Sequence, residues 1–290
     1  DYDLVLSDSS AYAKGVITNP ETLHICYCHA PTRYLWNDTH SYTEELKQPA
    51  FIKSLLPIFL NSIRIWDRTA ADRVDKYIAN SQTVAERIKK YYSKDSTVIY
   101  PPVETEKFRI SEKLGDYYLI VSRLRPYKRV DLAIEAFNAL GYPLKIIGTG
   151  EEYKKLKKMA NSNIEFLGAL PDRERNAYLA KCLAFIHPQE EDFGIAAVEA
   201  MASGRPVVAY AKGGARETVI RGKTGEFFED QTPWSLVDVL RDFNPQAYNS
   251  QEIKTWTETF DIGKFKVAIK DYISRAYQEH ENKLNNIYKK

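Results

Sequence analysis

The most limiting feature of this sequence lies beyond residue 117. Short runs rich in β-branched and aromatic residues, "YYLIVSRL", "LKIIGTG", "IEFLGAL", "LAFIHP" and "RPVVAY", alternate there with segments of helical pattern. Strand starts recur about every 20 residues, the spacing that strand-helix-strand units require. The pattern predicts a parallel, doubly wound sheet over 103–260. Between the first two runs, Val130, Ile134, Phe137 and Leu140 fall at helical spacing and form one apolar stripe to lie on that sheet.

Before residue 100 the pattern is still α/β but sparser. Strands are expected near 2–7, 23–28 and 76–80, and helices around 41–75 and 82–92. "YPPVETEKF", 100–108, contains a Pro-Pro break that neither regular element can cross, so a boundary falls there. A chain of 290 residues with 44% hydrophobic residues has length for about two domains and apolar content for their cores. The expected division is 1–102, 103–262, and a terminal helix over 263–290. Phe265, Ile269, Tyr272 and Ile273 mark the helix face that packs back on the N-terminal domain. The polar tail "ENKLNNIYKK" is expected to fray.

Charge and cysteine content exclude several classes. With 41 basic and 39 acidic residues the net charge is +2, which gives no electrostatic argument for a nucleic-acid partner. Cys26 and Cys28 alternate with Tyr27, so they share one strand face, and Cys182 lies far away. No four-ligand spacing accompanies them, and they read as buried, reduced thiols of a cytoplasmic protein. "DYD", Asp1 to Asp3, has the form D-x-D but opens a strand, so no metal is expected.

No signal peptide stands at the N-terminus, and no apolar run approaches the roughly 18 residues of a membrane helix. The most apolar stretch, "FIKSLLPIFLNSIRIW", is broken by Lys53, Pro57 and Arg64. Segment 51–73 has two readings: a peripheral contact with the inner face of a membrane or a lipid-linked acceptor, and a core helix pair with a solvated basic face. The second is favoured. The chain begins at Asp1, directly before a strand, as if cut from something longer.

The chemistry concentrates in "EEDFGIAAVEAMASGRPVVA", 190–209. A doubly wound sheet binds ligands beyond the carboxyl ends of its strands, where helix N-termini present free amides. Here "LAFIHP" is the strand, and the amides of Phe193 to Ala196 form an anion site at the helix start. Glu191 precedes the helix and can take hydroxyls; Glu199 lies about a turn and a half inside it. A phosphate on the amides and a polyol on the carboxylates satisfy every group, and a nucleoside diphosphate sugar supplies both. The plainer alternative has Glu191 capping the helix and Glu199 in a salt bridge. In "VSRLRPYKR", Arg123 and Lys128 follow another strand of the same sheet and suit the charge on a leaving diphosphate. In "YCHAPTRYLW", His29 ends a strand of the first domain, fit to bond a sugar hydroxyl, to move a proton, or to be structural only.

"VSRLRPYKRVDLAIEAF", "EEDFGIAAVEAMASGRPVVAYAKGGARETVIRGKTGEFF" and "ANSQTVAERIKKYY…VIYPPVETEKF" together resemble family 4 retaining glycosyltransferases of the GT-B fold. "YCHAPTRYLW" resembles the GDP-mannose-dependent mannosyltransferase branch of bacteria and archaea. The resemblance implies two Rossmann-like doubly wound domains, the N-terminal one incomplete because the family's first strand and glycine-rich loop are missing here. It implies that Arg123 and Lys128 hold the donor diphosphate, Glu191 the sugar hydroxyls and Glu199 the ribose. Backbone groups of Phe193, Gly194 and Ile195 would face sugar and phosphate, with Val198 nearby, and the base would lie along Leu167 and Gly168. His29 matches the histidine beside the transferred sugar. Arg129 stands where the family often has glycine.

The implied reaction is metal-free, retaining transfer of a hexose, mannose from GDP-mannose first, to a hydroxyl of a glycan or lipid-linked saccharide. Three alternatives stay open. One is a non-catalytic nucleotide-sugar-binding subunit, or a chain completed by a separate N-terminal segment. The second is a UDP-sugar-dependent transferase, and the third a GT-B epimerase. A dinucleotide-dependent oxidoreductase is disfavoured: after Gly148 and Gly150, Tyr153 stands at the third glycine position of the fingerprint.

Overall fold

A computed structural model describes residues 2–37 and 50–288, with side chains in the second stretch from 56 to 287. Asp1, the 41–49 part of the helical stretch expected around 41–75, and the side chains of Phe51 and Lys53 lie outside the described residues. The chain divides into two compact units, Asp1–Tyr100 with Phe265–Lys290, and Pro101–Lys264.

Unit 1 holds a parallel sheet in the order β1 (Leu4–Ser9), β2 (Leu23–Cys28), β3 (Lys76–Ala79), β4 (Ser96–Val98). Helices α1 (Arg33–Trp36) and α2 (Ala50–Ala71) precede β3, and α3 (Gln82–Tyr92) follows it. Successive side chains of a strand point to opposite faces, and both faces are buried here. Cys26 and Cys28 pack with Tyr77, Val84, Ile88 and Tyr92 on one side. On the other, Leu23, Ile25, Tyr27 and Ile78 meet Phe265, Ile269, Tyr272 and Ile273 of the terminal helix (Ile262–Tyr288). That helix runs through most of the stretch expected to fray.

Asp67 of α2 anchors the polar interior of unit 1. It accepts from Lys14 Nζ (2.6 Å), Thr32 Oγ1 (2.6 Å), Trp36 Nε1 (2.8 Å) and Tyr92 OH (2.8 Å). Thr32 and Trp36 belong to "YCHAPTRYLW", so part of that stretch is structural. Segment 51–73 departs from the expected helix pair with a basic face, because α2 runs unbroken through Pro57. The basic groups among its described side chains are engaged: Arg64 donates to Leu35 O (2.8 Å), Arg68 pairs with Asp72 (2.9 Å) and Arg73 donates to Gly15 O (2.8 Å). The exposed face instead carries Ile58, Phe59, Ile65 and Trp66. No helix among the described residues is long and apolar enough to cross a membrane.

Unit 2 holds six parallel strands: β5 (Tyr118–Val121), β6 (Leu144–Ile147), β7 (Ile164–Gly168), β8 (Phe185–His187), β9 (Val207–Tyr210) and β10 (Gly225–Phe228). Their order is β10-β9-β8-β5-β6-β7, so the direction of winding reverses between β5 and β8. Five helices lie between successive strands: α4 (Val130–Leu140), α5 (Tyr153–Met159), α6 (Asp172–Lys181), α7 (Ile195–Ala202) and α8 (Ala215–Thr218). The stripe read from sequence is nearly all core, since Val130, Ile134 and Phe137 are buried and Leu140 packs beside them.

Candidate functional site

Ligands of an open α/β sheet bind where the strand order reverses, beyond the carboxyl ends of the strands. In unit 2 that is the exit of β5, followed by Arg123–Lys128, and the exit of β8, followed by Pro188–Gly194 and α7. Lys128 Nζ donates to Glu191 Oε1, and the two side chains are only 16% and 17% exposed. Gln189 Nε2 donates to the same oxygen at 3.3 Å and lies 3.3 Å from His187 Nδ1. His187 is wholly buried. Burial, and then the Lys128 charge, push its pKa down to about 3, so the ring is neutral.

Glu199 takes a different cation. Its Oε1 accepts from Arg175 Nη2 of α6 at 3.4 Å, the salt bridge of the plainer reading. Burial raises the Glu199 pKa above its ordinary value, with Arg175 pulling the other way and Asp172 adding to the rise.

Backbone fit shapes the start of α7. Gly194 has φ +93°, and a β-carbon on it would stand 3.3 Å from His187 Nε2. The loop after β9 presses on the same turn: Gly214 N donates to Glu191 O at 2.8 Å, and a β-carbon on Gly213 would lie 2.2 Å from that oxygen. The Phe193 side chain is buried against Phe260, Val198 is in the core, and Ile195 is exposed. Ala197 N bonds Gly194 O (3.0 Å), so the amides of Ile195 and Ala196 precede the first intrahelical bond.

Leu167 and Gly168 end β7 at the same edge of the sheet, and Gly168 O accepts from Gly148 N at 2.7 Å. That amide is therefore spent within the fold, whereas a dinucleotide fingerprint would turn it to phosphate. Arg123 is exposed. Arg129 adopts φ +50°, one of two non-glycine residues in the left-handed region among the described residues, which accounts for the glycine common in the resemblance. Its guanidinium reaches Asp131 (3.3 Å) and Gln231 (3.2 Å), and Gln231 donates to Pro188 O (3.0 Å). The loops after β5 and β8 are joined through that chain. His29 belongs to unit 1, where its Nε2 meets Asp8 Oδ1 of β1 at 2.5 Å.

Residues 103–252 match the family described as glycosyl transferases group 1. An uncharacterized glycosyltransferase of Methanocaldococcus jannaschii is 32% identical over 206 residues, 68% of this chain and 57% of that protein. The chain belongs to the glycosyl transferases group 1 family. It is also similar to the GDP-mannose-dependent alpha-(1-6)-phosphatidylinositol monomannoside mannosyltransferase of Mycolicibacterium smegmatis, 35% identical over 176 residues, 49% of this chain and 46% of that protein. The chain thus spans about half the length of these relatives. Anabaena HepE in complex with UDP and glucose has a TM-score of 0.75, with 94% of this chain and 78% of that one covered at 20% identity. The chain therefore has the α/β GT-B fold, with two Rossmann-like units.

Several residues around the candidate site leave no mark in the sequence. Arg175 is one charge among several on α6, and its pairing with Glu199 across 24 positions leaves no periodic trace. His187 and Gln189 read as ordinary strand and turn residues. Asp8 has no pattern linking it to His29. Gly213-Gly214 did carry a signal, since adjacent glycines in a loop mark close backbone approach.

Proposed function

We propose that this chain transfers a hexosyl group, mannose from GDP-mannose first, to a hydroxyl of a glycan or lipid-linked saccharide, with the anomeric configuration retained. The observation that carries this is the Lys128–Glu191 pair at the strand-order reversal, directly before the free amides of α7. A nucleoside diphosphate sugar matches those groups in order. Its diphosphate takes the amides of Ile195 and Ala196 with Arg123 and Lys128. The sugar hydroxyls take Glu191, the ribose Glu199, and the base the backbone at Leu167 and Gly168. The ammonium of Lys128 has three donors, so it can serve Glu191 and a phosphate oxygen together. As the glycosidic bond opens, Arg123 and Lys128 stabilise charge on the leaving diphosphate, and its phosphate oxygen takes the acceptor's proton. No carboxylate is assigned as nucleophile, and the two cations do what a divalent ion does elsewhere. His29, oriented by Asp8, is assigned to a hydroxyl of the transferred sugar.

The donor in the name of the mycobacterial relative supports GDP-mannose. The UDP and glucose with Anabaena HepE favour a second reading, a UDP-sugar donor. The exposed Ile58, Phe59 and Ile65 of α2 support contact with a lipid surface that carries the acceptor. Calorimetry with GDP-mannose and UDP-glucose tests the donor assignment; a folded sample that binds neither overturns it. Transfer is expected to persist in EDTA, and NMR of the product is expected to show the donor's anomeric configuration.

A further inference from the structure

The hydrogen bonds around Glu191 have a direction that the chemistry of their atoms imposes. Glu191 Oε1, the oxygen that accepts from Lys128, lies 3.3 Å from Gln189 Nε2. A carboxylate oxygen only accepts, so the nitrogen of the Gln189 amide must face it. The same nitrogen lies 3.3 Å from His187 Nδ1 and has only hydrogens to offer, so Nδ1 must be the unprotonated, accepting nitrogen. His187 is fully buried and Gln189 is 3% exposed. His187 Nε2 and Gln189 Oε1 are both buried without a partner. Two polar atoms left unsatisfied at such a place carry a cost, and the side-chain hydrogen bonds of these residues run in a chain that ends on Glu191.

We propose that His187 and Gln189 are positioning residues for the donor's sugar. His187 Nδ1 fixes the Gln189 amide, and Gln189 with Lys128 ties down Glu191 Oε1. The other oxygen, Oε2, is thereby left to a hydroxyl of the hexosyl group. Oε2 lies 3.8 Å from where a β-carbon on Gly194 would stand, so it faces the start of α7. The low pKa of His187 agrees with this, because a proton on Nδ1 would oppose the Gln189 amide. The inference rests on the assignment of Glu191 to the sugar made above.

The test compares ligands with and without the sugar, using calorimetry on the 290-residue chain with GDP, GDP-mannose, UDP and UDP-glucose. Gln189→Met keeps the volume and removes the donor. It is expected to weaken the nucleotide sugar about tenfold while the matching nucleoside diphosphate stays within about twofold, since one hydrogen bond to a charged group is at stake. His187→Leu is expected to give the same split. His187→Asn, with an amide oxygen near the place of Nδ1, is expected to restore sugar binding. Equal weakening of both ligands in Gln189→Met and His187→Leu would mean a merely structural role and overturns the proposal, as does sugar binding unchanged in both. Should Gln189→Met fail to fold, the His187→Leu and His187→Asn pair decides by the same split. If the unaltered chain binds none of the four ligands, the donor assignment falls, and this inference with it. If it binds them and the variants show no split, the inference alone falls.

Discussion

Gly194 and His187 constrain each other. With φ +93° and the imidazole 3.3 Å from the place of a β-carbon, position 194 admits no side chain without strain. Gly194→Ala is expected to lower stability by about 1–3 kcal/mol, the usual scale for a forced left-handed residue, in urea unfolding at pH 7. It should also weaken GDP binding, because the amides that follow would shift. The buried ring adds a pH dependence. An unfolded histidine gains its proton near 6.5, whereas folded His187 resists until about 3. The unfolded chain binds more protons in between, so stability rises with pH there and is lost as pH falls from 6.5 toward 3. The slope from one such group is about 1.4 kcal/mol per pH unit. His187→Leu should flatten that limb relative to the parent chain, as read from urea midpoints between pH 4 and 7. An unchanged limb would mean that the ring is protonated in the fold.

Elements differ in how far the sequence revealed them. The central strands β5, β8 and β9 of unit 2 and helix α4 follow from the residue pattern because the strands are buried almost throughout and the helix lays one stripe on the sheet. Short edge strands such as β4 and β10 carry too few residues to show a period, and neither is among the strands expected from the sequence. Pro57 reads as a break in α2, yet the helix continues, because its second half is tied through Asp67 to Lys14, Thr32, Trp36 and Tyr92. Those partners lie up to 53 positions away and share no spacing. The same limit hid Arg175, whereas Lys128 and Glu191 were legible because each follows a strand in a recognisable motif. Asp67→Ala tests the buried hub. It strands the Lys14 ammonium without its counter-charge and is expected to cost about 3–5 kcal/mol, whereas Asp72→Ala at an exposed pair should cost under about 1 kcal/mol. Denaturant unfolding followed by tryptophan fluorescence reads both, since Trp36 bonds Asp67 directly.

At the scale of the whole molecule, the proposed donor groups fall within one compact unit. Arg123, Lys128, Leu167, Gly168, Glu191, Gly194, Ile195 and Glu199 all lie in Pro101–Lys264, and His29 with its Asp8 partner lies in the other unit. Unit 2 has its own core, built on β5, β6, β8 and β9 with α4. It also closes its own chain ends: Val103 N donates to Phe260 O (2.9 Å), Ile262 N to Val103 O (3.0 Å), and Thr105 Oγ1 to Asp261 Oδ2 (2.5 Å). A fragment of residues 101–264 is therefore expected to fold alone and to bind GDP or UDP within about threefold of the full chain. Bound nucleotide at 100 times its Kd should then stabilise the fragment by about 2.7 kcal/mol through mass action. Transfer is expected to differ, because the fragment lacks His29, which the proposed function assigns to the transferred sugar. It should hold the nucleotide and turn over no sugar, and adding His29→Ala to the full chain should reduce transfer while leaving nucleotide affinity unchanged. A fragment that folds, with its far-UV dichroism and melting intact, but fails to bind any nucleoside diphosphate would show that the donor site needs residues outside unit 2.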